Sequence, residues 1–156
     1  MNFKENFKKF GFVTIEQIRD GKVIKKIKFH NLITNAGIST CAKLAGLGLG
    51  GTAFSYIALG TGTTPVAAAD TTLEGEIIDT GMQRASATVS QQTTTVTGDT
   101  TRFYKSFSVT GVKALNKVGI FNNFSGGDML CEALFPGVVT TANGDTIAIT
   151  YDVKNA

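Results

Sequence analysis

The residues that could carry out chemistry are few in this chain. Its 156 residues include one histidine, His30, and two cysteines, Cys41 and Cys131. A Ser-His-Asp or Cys-His system would have to use His30 as its base, because there is no other imidazole. His30 ends a lysine-rich strand pattern, and no serine or cysteine near it stands in a nucleophile-elbow context. We therefore expect a structural or exposed histidine, two buried thiols, no catalytic residues and no enzymatic activity.

Acidic side chains are the second possible source of chemistry. Glu74 and Glu76 share one turn, with Asp79 close by. Two carboxylates can hydrolyse glycosides only if a cleft holds them about 5–9 Å apart, and capping and solvation explain these acids better. No calcium-binding D-x-D-x-D-G loop is present, and one histidine excludes a multi-histidine metal site. The other acids are scattered over turns and the last strand pattern: Asp99, Asp128, Asp145 and Asp152.

Two glycine-rich segments resemble phosphate-binding loops in sequence pattern but not in structural context. Gly46–Gly51 reads G-x-G-x-x-G, but a predicted helix precedes it and a strand follows it, which reverses the dinucleotide-binding order. Gly60–Thr64 lacks the Gly-Lys-Ser/Thr ending of a P-loop. Both segments are predicted to be connectors, so the sequence indicates no cofactor.

Positive charge is concentrated in the first thirty residues, although the whole chain has a formal net charge of only +3. Three interpretations of this basic segment are open: a solvated strand face, a docking surface for an acidic protein, or a nucleic-acid-binding surface. Arginines that would clamp phosphates or read bases are nearly absent, so we predict no nucleic-acid partner. No segment has the roughly 20 apolar residues of a membrane span, and no membrane partner is predicted.

Residues 1–10 are predicted to form a basic aromatic arm. The arm has no apolar h-region and no small-residue cleavage site, so it is not expected to be a secretory signal. Its phenylalanines lie outside any strand pattern and need a packing surface, either on another subunit or on the chain's own body. The predicted partner-binding residues are Phe3, Lys4, Phe7, Lys8, Lys9 and Phe10 in the arm, and Lys25, Lys26 and Lys28 in the segment that follows.

A hairpin and a short helix are predicted after the arm. Asp20-Gly21 separates two strand patterns and is a strong hairpin signal. Thr34 or Asn35 can cap a helix that ends at Gly46. The apolar stripe of that helix follows the spacing i, i+3, i+4, i+7 and comprises Ile38, Cys41, Ala42 and Ala45.

The rest of the chain shows eight or nine short strand patterns with turns every 8–12 residues. This pattern, and the absence of a βαβ order, predicts an all-β, mainly antiparallel fold, a β-sandwich or jelly roll with one short helix. Residues 11–156 would form this single domain. Two local features are also predicted: a helical turn starting at Asp70 with a Thr71–Glu74 capping box, and a Thr-rich strand over Gln91–Thr97. The predicted aromatic core comprises Phe103, Phe107, Phe121, Phe135 and Tyr151.

An ordered set of segments resembles small virion proteins of tailed bacteriophages. Where those proteins often have an acidic residue before the Val-Gly-Ile-Phe segment, this chain has Lys117. The segments are Asn31–Gly37 (NLITNAG), Tyr56–Pro65 (YIALGTGTTP), Asp70–Glu76 (DTTLEGE), Leu115–Phe121 (LNKVGIF), Gly126–Leu130 (GGDML) and Phe135-Pro136.

The resemblance implies a β-sandwich building block of the virion, made in the host cytoplasm. The first hypothesis is a capsid decoration (cement) protein that binds the major capsid protein and copies of itself as a homo-oligomer. The second is a tail-fibre or baseplate component that contacts tail proteins or the host surface. A third, from another class, is a lectin-like sandwich, although tryptophan is absent and tyrosine is rare.

Overall fold

The strand patterns form two five-stranded antiparallel sheets in the computed structural model, which describes residues 10–46 and 48–155. This confirms the predicted all-β, sandwich-like fold with one short helix. The elements are, in chain order, β1 (Phe10–Arg19), β2 (Lys22–His30), β3 (Leu32–Ile33), α1 (Asn35–Ala45), β4 (Tyr56–Gly60), β5 (Ala85–Ser86), β6 (Thr88–Gln92), β7 (Thr100–Ser108), β8 (Ala114–Phe121), β9 (Met129–Thr140) and β10 (Thr146–Lys154).

Sheet A has the strand order β2-β1-β10-β7-β6, and sheet B has the order β3-β9-β8-β4-β5. Alternate side chains of each strand point into the space between the sheets, as the two-residue period of a strand requires. The five aromatic residues predicted for the core are all buried, but only Phe103, Phe107, Phe135 and Tyr151 belong to the main core, whereas Phe121 belongs to a second apolar cluster. The main core also includes Val13, Ile15, Ile57, Leu59, Val118, Ile120, Ile147 and Ile149.

The predicted hairpin joins β1 to β2. Asp20 and Gly21 have φ angles of 50° and 73°, and two successive positive φ values are typical of the two-residue turn that fits the twist of a hairpin. The apolar side chains of Val23 and Ile24 lie just after this turn and are 54% and 50% exposed. The hairpin tip therefore carries apolar surface.

Helix α1 begins and ends where the sequence predicts. The Thr34 side chain accepts a hydrogen bond from the Gly37 amide, and Gly46 is the C-cap. The predicted stripe is wrong, however, because Gly37 and Thr40 are the buried residues of the helix and Ile38 is 54% exposed. A Cβ at Gly37 would lie 2.2 Å from the Leu130 carbonyl oxygen, so close packing on β9 decides which face is buried.

The predicted helical turn at Asp70 is also wrong. Residues 61–79, which we call the strap, run without helix across the outer face of sheet B. The strap is joined to the end of β4 by a hydrogen bond from the Ile77 amide to the Leu59 carbonyl, and it folds back on itself through one from the Thr61 amide to the Gly75 carbonyl. Beneath it lies a second, small apolar cluster, formed by Ala58, Leu73, Phe121 and Met129.

The predicted Thr-rich strand stops early. Strand β6 ends at Gln92, and the chain then curls around the carboxylate of Asp99. Burial alone would raise the pKa of Asp99, but hydrogen bonds from the amides of Val96, Thr95 and Thr94 outweigh it and hold that pKa well below its usual range. A turn that is held by hydrogen bonds to a side chain competes with strand pairing. This competition explains why the strand ends at Gln92 and does not continue to Thr97.

Candidate partner-binding surface

Five of the predicted partner-binding residues, namely Phe3, Lys4, Phe7, Lys8 and Lys9, lie outside the described residues. Phe10, which the sequence assigns to the arm, is the first residue of β1 and pairs with Lys154 of β10. The Lys154 ammonium lies 5.7 Å from the centre of the Phe10 ring. Phe10 is therefore part of sheet A.

The three predicted lysines of β2 separate onto two sides of the strand. Lys25 lies beside the buried Gln17, and its Nζ donates a hydrogen bond of 2.7 Å to the Val138 carbonyl of β9. Its ammonium thus links the edge of sheet A to sheet B. Lys26 and Lys28 project from the opposite, outer face of sheet A, so these two lysines are the ones available to a partner.

The outer face of sheet A holds its cations beside aromatic and acidic groups. Lys26 Nζ is 2.7 Å from a carboxylate oxygen of Glu16 on the neighbouring strand. Lys28 Nζ lies 4.6 Å from the ring centre of Phe12, and the His30 ring lies 4.5 Å from that centre. Exposed ion pairs contribute only about 0–1 kcal/mol to stability. Their main effect here is to orient the basic groups.

This face continues across β10 and β7 to an open depression of about 410 Å³, which is lined by Thr88, Tyr104 and Ser106 among others. Arg102 donates two hydrogen bonds of 2.7 Å to the carboxylate of Asp152. Tyr104 is nearly half exposed and pairs across the strands with Thr150 and Thr88. An open surface of cations, threonine hydroxyls and aromatic edges suits contact with another protein surface better than enclosure of a small molecule.

The edge strand β2 adds a second element to this surface. It is one of the two edge strands of sheet A in the described chain, with β6 at the other edge, and the exposed hairpin tip lies at one end of it. Lysines on an edge strand also discourage unspecific strand pairing. The lysines of β2 therefore fit two of the interpretations of the basic segment: a solvated strand face and a docking surface for an acidic protein.

A second surface was not foreseen from the sequence. Ile78 and Phe124 are exposed on either side of a shallow groove of about 390 Å³. Its floor is Arg84, which forms two hydrogen bonds with Glu76 and lies 3.6 Å from the centre of the Phe121 ring. No spacing in the sequence relates Arg84 to these groups, because two different loops bring them together.

We expect Arg84→Lys to lower the free energy of unfolding by about 1–2 kcal/mol, because an ammonium cannot reproduce two parallel bonds and a ring contact. Urea unfolding measures this loss. Arg102→Lys is the matched control, since its pair with Asp152 lies on the exposed face and its loss is expected to be under about 1 kcal/mol. Equal losses for both variants would contradict the prediction.

A buried cluster of charges lies under the strap. Lys117 of β8 is 2% exposed, and its Nζ is 3.1 Å from Glu74 and 3.8 Å from Glu132 of β9, which is fully buried. Burial and the nearby Asp70 carboxyl raise the pKa of Glu132 to about 7, although Lys117 opposes the shift. The contact with Glu132 lowers the pKa of Asp70. The cluster ties the strap to two strands.

The carboxylates considered for catalysis have separate partners. Glu74 binds Thr64 and Lys117, Glu76 binds Arg84, and Asp79 binds Lys113. Asp145 accepts hydrogen bonds from Gln17 and Arg19 and from the Ala142 amide, and these interactions lower its pKa. Over residues 10–46 and 48–155, no group of three or more His, Cys, Asp or Glu side chains is arranged to hold a metal ion.

The two cysteines differ in accessibility. Cys131 is fully buried in the core, and burial raises its pKa to about 12. Cys41 is only partly buried, on the face of α1 that borders sheet A. The prediction of two buried thiols therefore holds for Cys131 alone. In the described chain, no helix is long and apolar enough to span a membrane.

Comparison of the chain with protein-family models, with characterised proteins and with solved structures gave no match. The class that the fold defines is an all-β protein of two antiparallel sheets. The resemblance to virion proteins stays a prediction from the sequence.

Proposed function

We propose that this protein is a non-enzymatic structural component of a tailed-bacteriophage particle, specifically a capsid decoration protein that binds the major capsid protein and copies of itself. The observation that carries the proposal is the outer face of sheet A. It is a broad, open surface with oriented cations, and it continues into a hairpin tip with two exposed apolar side chains.

The hairpin tip would supply the apolar part of the contact. Val23 and Ile24 are each about half exposed, and covering what remains would contribute about 2 kcal/mol together. The most strongly contributing groups of a protein interface lie in desolvated patches, surrounded by contacts that exclude water. The apolar hairpin tip, with the lysines of β2 beside it, can form such a patch.

Lys26 and Lys28 would supply the electrostatic part. They favour an acidic partner surface, and exposed charges of this kind increase the rate of association more than the final affinity. Binding is then expected to weaken as salt is raised, because the Debye length falls from about 10 Å at 0.1 M to about 3 Å at 1 M.

The hairpin tip is tested by the double variant Val23→Asp/Ile24→Asp. We expect its affinity for shells assembled from the major capsid protein of the same phage to fall about tenfold or more, which corresponds to about 1.4 kcal/mol. Co-sedimentation with the shells measures the affinity. The control is Val112→Asp, which places an acid on a loop at a side chain that is 70% exposed. Unchanged binding by the double variant would rule out the tip as the contact.

Immunogold labelling of purified phage particles tests the location directly. Gold over the capsid surface supports the decoration function. Gold confined to the tail would replace it with the tail-fibre or baseplate alternative. Absence from particles, together with retention on immobilised oligosaccharides, would favour the lectin-like alternative.

A further inference from the structure

An apolar groove of about 280 Å³ opens between α1 and the end of sheet A. Its floor consists of the buried side chains of Phe54, Phe103 and Val153, and its rims are Leu44 of α1 and Val89 of β6, each almost half exposed. A cavity of about 150 Å³ lined by such side chains binds benzene. The groove therefore has room for an aromatic ring.

The groove lies where the described chain begins. Gly11 pairs with Val153 and Phe10 pairs with Lys154, and the next residue, Asn155, lines the groove beside Val153. Nine residues precede Phe10. A chain spans at most about 3.3–3.6 Å per residue, so the three residues from Phe10 back to Phe7 cover about 10 Å.

We infer that this groove is the docking site for the N-terminal segment of the same chain, Met1–Lys9, with the Phe7 ring as its anchor. Phe7 is the phenylalanine of this segment that is nearest in sequence to the start of β1. Phe3 would have to close a longer loop, which costs more conformational entropy. The inference does not rest on the proposed function, because it concerns the protein alone.

The amino-acid composition of Met1–Lys9 also supports this segment as the occupant of the groove. Phe7 is flanked by Lys8 and Lys9 on one side and by Asn6 and Glu5 on the other. An apolar ring between polar neighbours can enter an apolar groove while the charged groups stay in water. Tethering also gives the segment a high effective concentration at the groove, which a free partner lacks.

Cys41 provides a native probe, because it lines the groove while Cys131 is buried. We expect iodoacetamide to label Cys41 slowly in the full chain, and Phe7→Ser to raise that rate about tenfold, which corresponds to about 1.4 kcal/mol of docking free energy. Lys8→Ser is the matched control and should leave the rate unchanged. Mass spectrometry measures both thiols, and an unlabelled Cys131 verifies that each variant stays folded.

The inference is overturned if Phe7→Ser and the parent chain are labelled at equal rates. A rate increase with Phe3→Ser and none with Phe7→Ser would overturn the choice of anchor. The variant Phe7→Cys then distinguishes the occupants under mild oxidation with diamide. A Phe7→Cys/Cys41 disulfide within one chain supports docking in the same chain, whereas a predominantly disulfide-linked dimer, or no disulfide, contradicts it.

Discussion

Replacing Lys117 with methionine is expected to lower the free energy of unfolding at pH 8 by about 3–5 kcal/mol. The methionine side chain fits a similar volume but removes the positive charge that faces Glu132 inside the protein. Glu132 is fully buried, so its carboxylate would remain in a low-dielectric environment without a counter-ion. Urea unfolding followed by circular dichroism measures the loss.

The double variant Lys117→Met/Glu132→Leu separates the charge from the packing. It should recover most of the lost stability, because replacing a whole buried ion pair by apolar side chains is often neutral or stabilising. A double variant as unstable as Lys117→Met would mean that packing of the lysine stem, rather than its charge, causes the effect. A single variant that loses less than about 1 kcal/mol would show that the pair is solvated.

This cluster also shows what local sequence patterns miss. Lys117 and Glu132 both lie on the outer face of sheet B, where alternation alone predicts exposed polar residues. They are buried because the strap crosses that face, and nothing near either residue signals that a segment 38 or more positions earlier covers it. The sequence analysis assigned Glu74 to a capping box, because the donor that its carboxylate meets in the fold, Lys117, is distant in the chain.

The sheets themselves were predictable for a local reason. The alternating segments of β1, β7 and β10 fix which side chains face the core, and Asp20-Gly21 fixes the first turn. The orientation of α1 was not predictable, because the close contact between Gly37 and β9 outweighs the apolar spacing of Ile38 and Ala42.

The candidate surface was predictable only in part. The basic character of β2 is visible in the sequence, and Lys26 and Lys28 do lie on the outer face of sheet A. The contact of Lys25 with the Val138 carbonyl could not be predicted, because it depends on how the two sheets meet. The groove between α1 and the end of sheet A combines residues of α1, β6, β7, β9 and β10, and no single sequence window contains it.

The stability of the protein is expected to fall as pH rises from about 5 to about 7.5, by about 2–3 kcal/mol in total. The folded state holds the pKa of Glu132 at about 7, above its ordinary value of 4.5. Between these two values the folded chain binds more protons than the unfolded chain, so raising the pH favours unfolding. The acids whose pKa is lowered, including Asp70 and Asp145, lose their stabilising contribution only at lower pH.

Urea unfolding at several pH values between 4.5 and 8 measures this slope, and Glu132→Gln tests its origin. Glutamine keeps the shape of a protonated glutamic acid but cannot ionise, so the variant should show a nearly flat profile and exceed the parent chain in stability at pH 8. Asp79→Asn is the control, because that acid is largely exposed and its pKa is lowered by Lys113. The control should keep the slope of the parent chain, and an unchanged slope in Glu132→Gln would show that another group titrates.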